Sequence, residues 1–281
     1  AMFEVNASID VLRTAAGECR RMTGEGLQPQ ISGQVSMVIR VLLGVVVGIT
    51  PFNFPLLLSV KKAAFALAAG NTFILKPSND TPVIGLKLAE VFEAAGLPSG
   101  VLSVIPGSGK TIGDTLVTDP RVALVSFTGS TVVGTRISML AAKQLKRCTL
   151  EMGGKNPLIV LDDADVDEAV TIANFGAFFH QGQICMTTAK ILVMASIYET
   201  FTEKLVKRAR QLKVGDPRQP DTVIGPLIRI QQCQMIQRQI VDAVSKGAVV
   251  LTGGTYKDAF FQPTVVTNVT PDMAIFSEES F

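Results

Sequence analysis

The sequence predicts an α/β fold: a doubly wound, Rossmann-like parallel sheet followed by part of a second α/β domain. Three observations carry this. Short apolar runs alternate with helical periods at close intervals from residue 42 onward. Glycine stands at many of the junctions, where a strand must turn into a helix or a helix must stop. The run Leu42 to Ile49 carries no charge and is too short to span a membrane, which suits a parallel strand buried on both faces.

Taken in order, residues 2 to 23 predict a helix that ends near Gly24. Gln34 to Val41 alternates imperfectly, as an edge strand pairing with a partner would, so residues 31–41 are a candidate oligomerisation strand. The buried strand ending at Ile49 leads into the turn Pro51-Phe52-Asn53-Phe54-Pro55, then a helix over 57–69 closed by Gly70-Asn71. Strand 72–75, helix 82–95, strand 101–105, helix 111–117, strand 122–127 and helix 132–145 follow. A second unit is expected to begin at Gly153-Gly154, so the expected division is 1–152 for nucleotide binding and 153–281 for catalysis. Its predicted elements are strand 157–161, helix 166–179 with Asp165 as N-cap, strand 191–195 and helix 197–212. Helix 228–245 and strand 248–251 come next, with an extended, loop-like tail from Gln262 to Phe281.

Composition narrows the function. Hydrophobic residues make up 47% and charged residues 18%, which is apolar enough that a partner subunit is expected to cover part of the surface. The net charge of +2 comes from interspersed charges without a basic run, which argues against nucleic-acid binding. The uncharged segment Val41 to Val60 is interrupted by Gly44, Gly48, Pro51, Asn53 and Pro55, so no membrane span is expected. Cys19, Cys148, Cys185 and Cys233 are widely spaced with no Cys-x-x-Cys pair, which argues against a disulfide framework or a metal site and for a reducing, cytoplasmic setting. No basic-then-apolar signal opens the chain, and Ala1 before Met2 reads as the remnant of an expression tag.

Several stretches could carry chemistry, each with a plainer alternative. Cys185 follows the glycine-containing loop His180-Gln181-Gly182-Gln183-Ile184, whose amides could favour a thiolate; alone, a cysteine is more often a small buried hydrophobe. Gly109 and Gly113 follow a strand, but their spacing matches neither the dinucleotide fingerprint nor a P-loop, so a packing turn competes with a phosphate site. In Phe127-Thr128-Gly129-Ser130-Thr131-Val132-Val133-Gly134 the glycines would let a cofactor approach, while Ser130 could equally be a helix cap. Lys76 and Ser78 leave a strand on the side where doubly wound sheets bind ligands, or are ordinary solvated residues. Glu151, among Leu150, Met152 and two glycines, is placed for partial burial and general-base work, or for a turn ion pair with Lys155. Asn53 is held stiffly between aromatics and prolines, where its NH2 could stabilise an oxyanion or merely bond the turn.

Six of these phrases occur together and in order: Pro-Phe-Asn-Phe-Pro at 51–55, Lys-Pro-Ser at 76–78, Phe-Thr-Gly-Ser-Thr-x-x-Gly at 127–134, Leu-Glu-Met-Gly-Gly-Lys-Asn-Pro at 150–157, Gly-Gln-x-Cys at 182–185 and Glu-Glu-x-Phe at 278–281. The set resembles the NAD(P)-dependent aldehyde dehydrogenase superfamily, and its local wording is most similar to the benzaldehyde and vanillin dehydrogenase branch. The resemblance implies oxidation of an aldehyde, here an aromatic one, to the carboxylic acid with NAD or NADP. Cys185 would be the nucleophile, forming a thiohemiacetal and then a thioester; Asn53 and the Cys185 N–H would hold the oxyanion; Glu151 would activate the hydrolytic water. It implies Lys76 and Ser78 at the adenosine ribose, Gly129, Ser130, Val133 and Gly134 at the pyrophosphate and adenine side, and Glu279 with Phe281 at the nicotinamide end. Pro51, Phe127, Gly109 and Gly113 join the cofactor set, no metal is expected, and a homo-oligomer is.

Three departures modify the expectation. Asn79 stands where the family often has glutamate, which predicts relaxed NAD/NADP preference. Lys190 replaces the arginine usual five residues after the cysteine. Family members continue beyond the position of Phe281 and carry a longer N-terminal segment, so the chain reads as truncated at both ends. Two other readings follow: a catalytically incompetent protein that binds nucleotide or partner subunits, and a CoA-acylating enzyme, which Glu151 disfavours because a thiol acceptor needs no hydrolytic base.

Overall fold

The computed structural model describes residues 2–281; Ala1, and with it the tag reading, lies outside the described residues. The chain forms two compact units, the first ending at Met152 and the second running Gly153–Phe281.

The first unit opens with α1 (Met2–Glu18), shorter than predicted, and a hairpin of β1 (Glu25–Leu27) and β2 (Ser36–Val38). The strand expected over 31–41 is thus only three residues long and pairs antiparallel within its own chain, Gly26 opposite Met37. Next come β3 (Val45–Ile49), α2 (Pro55–Ala68), β4 (Thr72–Lys76), α3 (Pro82–Ala94), β5 (Leu102–Val104), α4 (Asp114–Thr118), β6 (Val122–Gly129), α5 (Thr131–Ala142) and β7 (Arg147–Met152). The five strands β3 to β7 form one parallel sheet in the order β5-β4-β3-β6-β7. Proline at the start of α2 and α3 fits because the first helical N–H has no partner in any case.

Both faces of this sheet are covered. Successive strand residues point to opposite sides. Val46 belongs to a cluster with Val60, Ala63, Phe73, Leu75 and Leu88, whereas Val47 belongs to one with Val117, Val125, Phe127, Ile137 and Ala141. Helices α1 to α3 therefore cover one face and α4 with α5 the other. The fit is tight at Gly48, where a β-carbon would overlap the Phe73 ring. Phe73 is fully buried, and truncating it to alanine would cost about 3–5 kcal/mol.

The second unit contains β8 (Pro157–Val160), α6 (Val166–Phe178), β9 (Lys190–Val193), α7 (Tyr198–Gln211), α8 (Ile230–Ser245), β10 (Val249–Thr252), β11 (Tyr256–Lys257), β12 (Phe260–Phe261), β13 (Val265–Thr267) and α9 (Ala274–Ser277). Strands β8 and β9 run parallel, and α6 and α7 pack on them through Val160, Val170, Ala173, Phe201 and Leu205. Asp165 caps α6 as predicted, accepting from the Glu168 N–H. The tail is loop-like except at β13, which pairs antiparallel with β10, and at the short α9. No helix among the described residues is long and apolar enough to cross a membrane.

Candidate active site

In the first unit, the parallel register brings most candidates to one end of the sheet. Ile49 pairs with Lys76 on one side and Phe127 on the other, while Thr128 pairs with Glu151. The carboxyl ends of β3, β4, β6 and β7 therefore present Pro51 and Asn53, Lys76, Gly129 and Ser130, and Glu151 side by side, where open parallel sheets bind ligands. Asn53 is buried, and its Oδ1 accepts from the Phe54 N–H at 3.1 Å, which orients the amide. Lys76 is no solvated lysine: it is 5% exposed, donates to the Pro77 carbonyl at 3.1 Å, and burial lowers its pKa. Ser78 accepts from the Asp80 N–H at 3.3 Å.

Glu151 departs from expectation. It is exposed, and it lies on β7, an edge strand of the sheet, rather than in a turn. Its facing cation is Lys62 on α2. Burial pushes the Lys62 ammonium down to about 8, and the Glu151 carboxylate opposes that shift. Lys62 donates to Ser126 Oγ at 3.1 Å, and that oxygen also accepts from Thr149 Oγ1 at 3.0 Å. The Glu151 carboxylate on β7 thus interacts through charge with a lysine that can hold or release a proton near pH 8.

The two glycine turns differ from one another. A β-carbon on Gly129 would stand 2.6 Å from the Phe127 ring, and one on Gly134 would stand 2.6 Å from Met152 Sδ. These glycines make room for the protein's own side chains, and Phe127 is a core residue beneath the turn. Ser130 occupies the N-cap of α5 with extended backbone but makes no side-chain cap bond, and Val133 is exposed. Gly109 and Gly113 bound a π-helical turn that runs directly into α4, which is only five residues long. Nothing lies within 4 Å of a β-carbon built at either.

In the second unit, Cys185 is exposed in a turn closed by the Thr187 N–H on the Ile184 carbonyl at 3.0 Å. Three successive left-handed residues precede it: His180 (φ 52°), Gln181 (φ 58°) and Gly182 (φ 73°). Left-handed backbone costs non-glycine residues about 1–2 kcal/mol each, so the loop is held from outside. Thr187 Oγ1 and the Thr188 N–H both donate to the Gly176 carbonyl, and the buried Gln183 accepts from the Ile228 N–H at 3.1 Å. Asn156, which sequence reasoning gave no role, donates to the Cys185 carbonyl at 2.7 Å and the Thr187 carbonyl at 3.2 Å. Only its place beside Gly-Gly-Lys signalled it. Upstream, Phe175 and Phe179 stack with ring centroids 4.8 Å apart, both exposed.

Glu279 lies against Gly153 and accepts from the Gly154 N–H. A β-carbon at Gly153 would overlap Glu279 Oε1, so the glycine is required by this approach. Burial raises the pKa of Glu279, opposed by the Gly154 bond and by Lys155. Lys155 is itself lowered to about 8 by burial and by Lys190. Lys190 sits 3.5 Å over the Phe276 ring, a cation–π contact. Gln232 donates to the Phe281 carbonyl at 2.6 Å.

These groups suit a dinucleotide. In the first unit Lys76 offers donors of the kind ribose hydroxyls need, and the space at Gly109 and Gly113 leaves backbone within a ligand's reach; in the second, taken by itself, Glu279 offers acceptors. Among the described residues, no cluster of three or more His, Cys, Asp or Glu side chains is placed to hold a metal ion.

The chain is 44% identical over 282 residues to a benzaldehyde dehydrogenase, YfmT, of Bacillus subtilis (strain 168), and 45% identical over 282 residues to a vanillin dehydrogenase of Amycolatopsis sp.. In each case the match takes in all of this chain and 58% of the relative. Its fold superposes on a salicylaldehyde dehydrogenase of Pseudomonas putida G7, solved with salicylaldehyde, with a TM-score of 0.97 at 38% identity, over 99% of this chain and 58% of that one. The family match itself extends over residues 1–281, and the chain belongs to the aldehyde dehydrogenase family.

Proposed function

We propose that the protein oxidises an aromatic aldehyde to its carboxylic acid with NAD or NADP, through a thioester on Cys185. The observation that carries this is the exposed thiol in an externally braced turn, its own carbonyl clamped by Asn156. Cys185 as thiolate adds to the aldehyde carbonyl, and the new C–S bond converts it to a thiohemiacetal oxyanion. Asn53 NH2 and the Cys185 N–H are the donors assigned to that oxygen. The bound nicotinamide supplies the hydride acceptor, and the carbon left on sulfur is then a thioester. Glu151 removes a proton from water as it attacks the thioester, the C–S bond breaks, and the acid leaves with the thiol restored. Lys62, whose ammonium feels the Glu151 charge, is the group assigned to take up the proton that Glu151 collects.

In the cofactor site, Lys76 and Ser78 are assigned to the adenosine ribose, Gly129, Ser130, Val133 and Gly134 to the turn that carries the pyrophosphate and adenine, and Glu279 with Phe281 to the nicotinamide end; Pro51, Phe127, Gly109 and Gly113 complete the set. Asn79 is exposed and uncharged, so a 2′-phosphate meets no carboxylate at that position, which supports use of both cofactors. The exposed Phe175–Phe179 stack and the names of the relatives support an aromatic substrate. Val35, Met37, Ile39 and Val41 are all more than 60% exposed, and we assign that apolar strip to contact with a second copy in a homo-oligomer. A thiolate nucleophile suits a reducing compartment, the cytoplasm being the simplest.

The test is steady-state oxidation of benzaldehyde, hydroxylated benzaldehydes and short aliphatic aldehydes with each cofactor, alongside Cys185→Ser. Free acid formed fastest from the aromatic substrates, and lost in the variant, is expected. Undiminished turnover by Cys185→Ser, or an acyl-CoA product only, would overturn the reading.

A further inference from the structure

We infer that Gln239 is a positioning residue for the cofactor's nicotinamide end: its buried amide fixes the segment Glu278–Phe281 and so sets where Glu279 stands. This rests on the reading of Glu279 given above.

Gln239 is 3% exposed on α8, an amphipathic helix whose other buried residues are Cys233, Ile240 and Ala243. A buried amide must be bonded to be tolerated, and every bond recorded for this one goes to three consecutive residues. Its Nε2 donates to Glu278 Oε2 at 3.3 Å and to the Glu279 carbonyl at 3.2 Å. Its Oε1 accepts from Ser280 Oγ at 2.7 Å. The amide orientation follows from its neighbours. Lys155 donates to Ser280 Oγ at 3.0 Å, and an ammonium can only donate, so the single Ser280 hydroxyl proton goes to Gln239. The amide oxygen therefore faces Ser280, and the NH2 faces the two acceptors.

Gln239 is the centre of a ladder. Gln232 donates to the Phe281 carbonyl at 2.6 Å, Asp242 accepts from the Ala274 N–H at 2.7 Å, and Lys246 donates to the Asp272 carbonyl at 2.6 Å. Spacings of seven, three and four residues place all four on one face of α8. The ladder holds residues 272–281 against the helix, and Gln239 is the rung at Glu279. On the other side of Glu279, Gly153 and the Gly154 N–H leave the carboxylate one position. The helix amide fixes the backbone of Glu279, and the glycine pair fixes its side chain.

The experiment compares Gln239→Met, Ser280→Ala, Glu279→Gln and the double variant Gln239→Met/Glu279→Gln by fluorescence titration with NADH, with iodoacetamide labelling of Cys185 and urea unfolding beside it. Gln239→Met keeps the size and removes the bonds. It is expected to weaken NADH binding about tenfold with Cys185 labelling unchanged, and the double variant is expected to bind no more weakly than Glu279→Gln alone, because Gln239 acts through Glu279. Ser280→Ala, which breaks the same link from its other end, is expected to weaken binding a few-fold, and it decides the matter should Gln239→Met fail to fold. Full NADH affinity in Gln239→Met or, failing that, in Ser280→Ala, while Glu279→Gln is weakened, overturns the positioning role alone. Full affinity in Glu279→Gln overturns the assignment of Glu279 and the inference with it.

Discussion

Gly153→Ala puts the smallest possible change at the point where the chain leaves least room. The added methyl carbon would stand 2.6 Å from Glu279 Cδ and 2.9 Å from Oε2, and would overlap Oε1. Ordinary contacts begin near 3.5 Å, so the overlapping oxygen must retreat by about 2 Å or the carboxylate must swing away. The φ of Gly153 is outside the left-handed region, so alanine fits the backbone and the clash alone acts. Retreat breaks the bond from the Gly154 N–H, and a hydrogen bond to a charged group is worth about 1.5–3 kcal/mol. At 1.4 kcal/mol per tenfold, cofactor affinity should fall by about 10–150-fold. Isothermal titration with NAD and NADP measures it, with urea unfolding as the control for the fold. Unchanged affinity in a folded Gly153→Ala variant would refute the claim that Glu279 holds the cofactor from this position.

Two further outcomes are expected. Burial holds Lys62 at about 8 against an ordinary 10.5, so between those values the folded chain binds fewer protons than the unfolded one. Stability then rises with pH across that window: relative to Lys62→Met, the wild type should gain between about pH 8 and 10.5 and stay level below it, as urea midpoints would show; parallel curves would contradict the burial. Asn156→Asp keeps the shape but removes the donor to the Cys185 and Thr187 carbonyls, so kcat should fall by about 10–100-fold. Rates of Cys185 alkylation should change with it, and an unaltered alkylation rate and kcat would mean that the turn needs no clamp.

Much of the fold was legible because burial leaves a strong pattern. The charge-free run ending at Ile49 and the helical periods of α2, α3, α6 and α7 all emerged within a few residues of their predicted bounds. Strand β7 was not predicted: Arg147, Cys148 and Thr149 alternate exposed and half-buried on an edge strand, and such a strand shows no apolar run. Two short elements of the otherwise irregular tail were missed for a related reason, since β13 is three residues long and α9 only four, too short for any period to show. Among site residues, local chemistry pointed to Cys185 and Asn53. It misjudged Glu151, expected to be partly buried and found exposed, because its neighbour Met152 turns toward Gly134 instead of covering it. At Gly129 and Gly134 it gave only the approach of a cofactor, and could not show that their missing β-carbons also make room for Phe127 and Met152. Gln239 gave no local signal at all, because its partners lie 39 to 41 residues away.

The reaction proposed for Cys185 passes through a covalent acyl intermediate that Glu151 helps to hydrolyse. Mass spectrometry of the Glu151→Gln variant, quenched after mixing with benzaldehyde and NAD, tests it most directly. A benzoyl adduct is expected on the peptide bearing Cys185, accumulating because hydrolysis is slowed while hydride transfer is not. Reduction of NAD with no adduct on that peptide, or with the adduct on Cys19, Cys148 or Cys233, would contradict it.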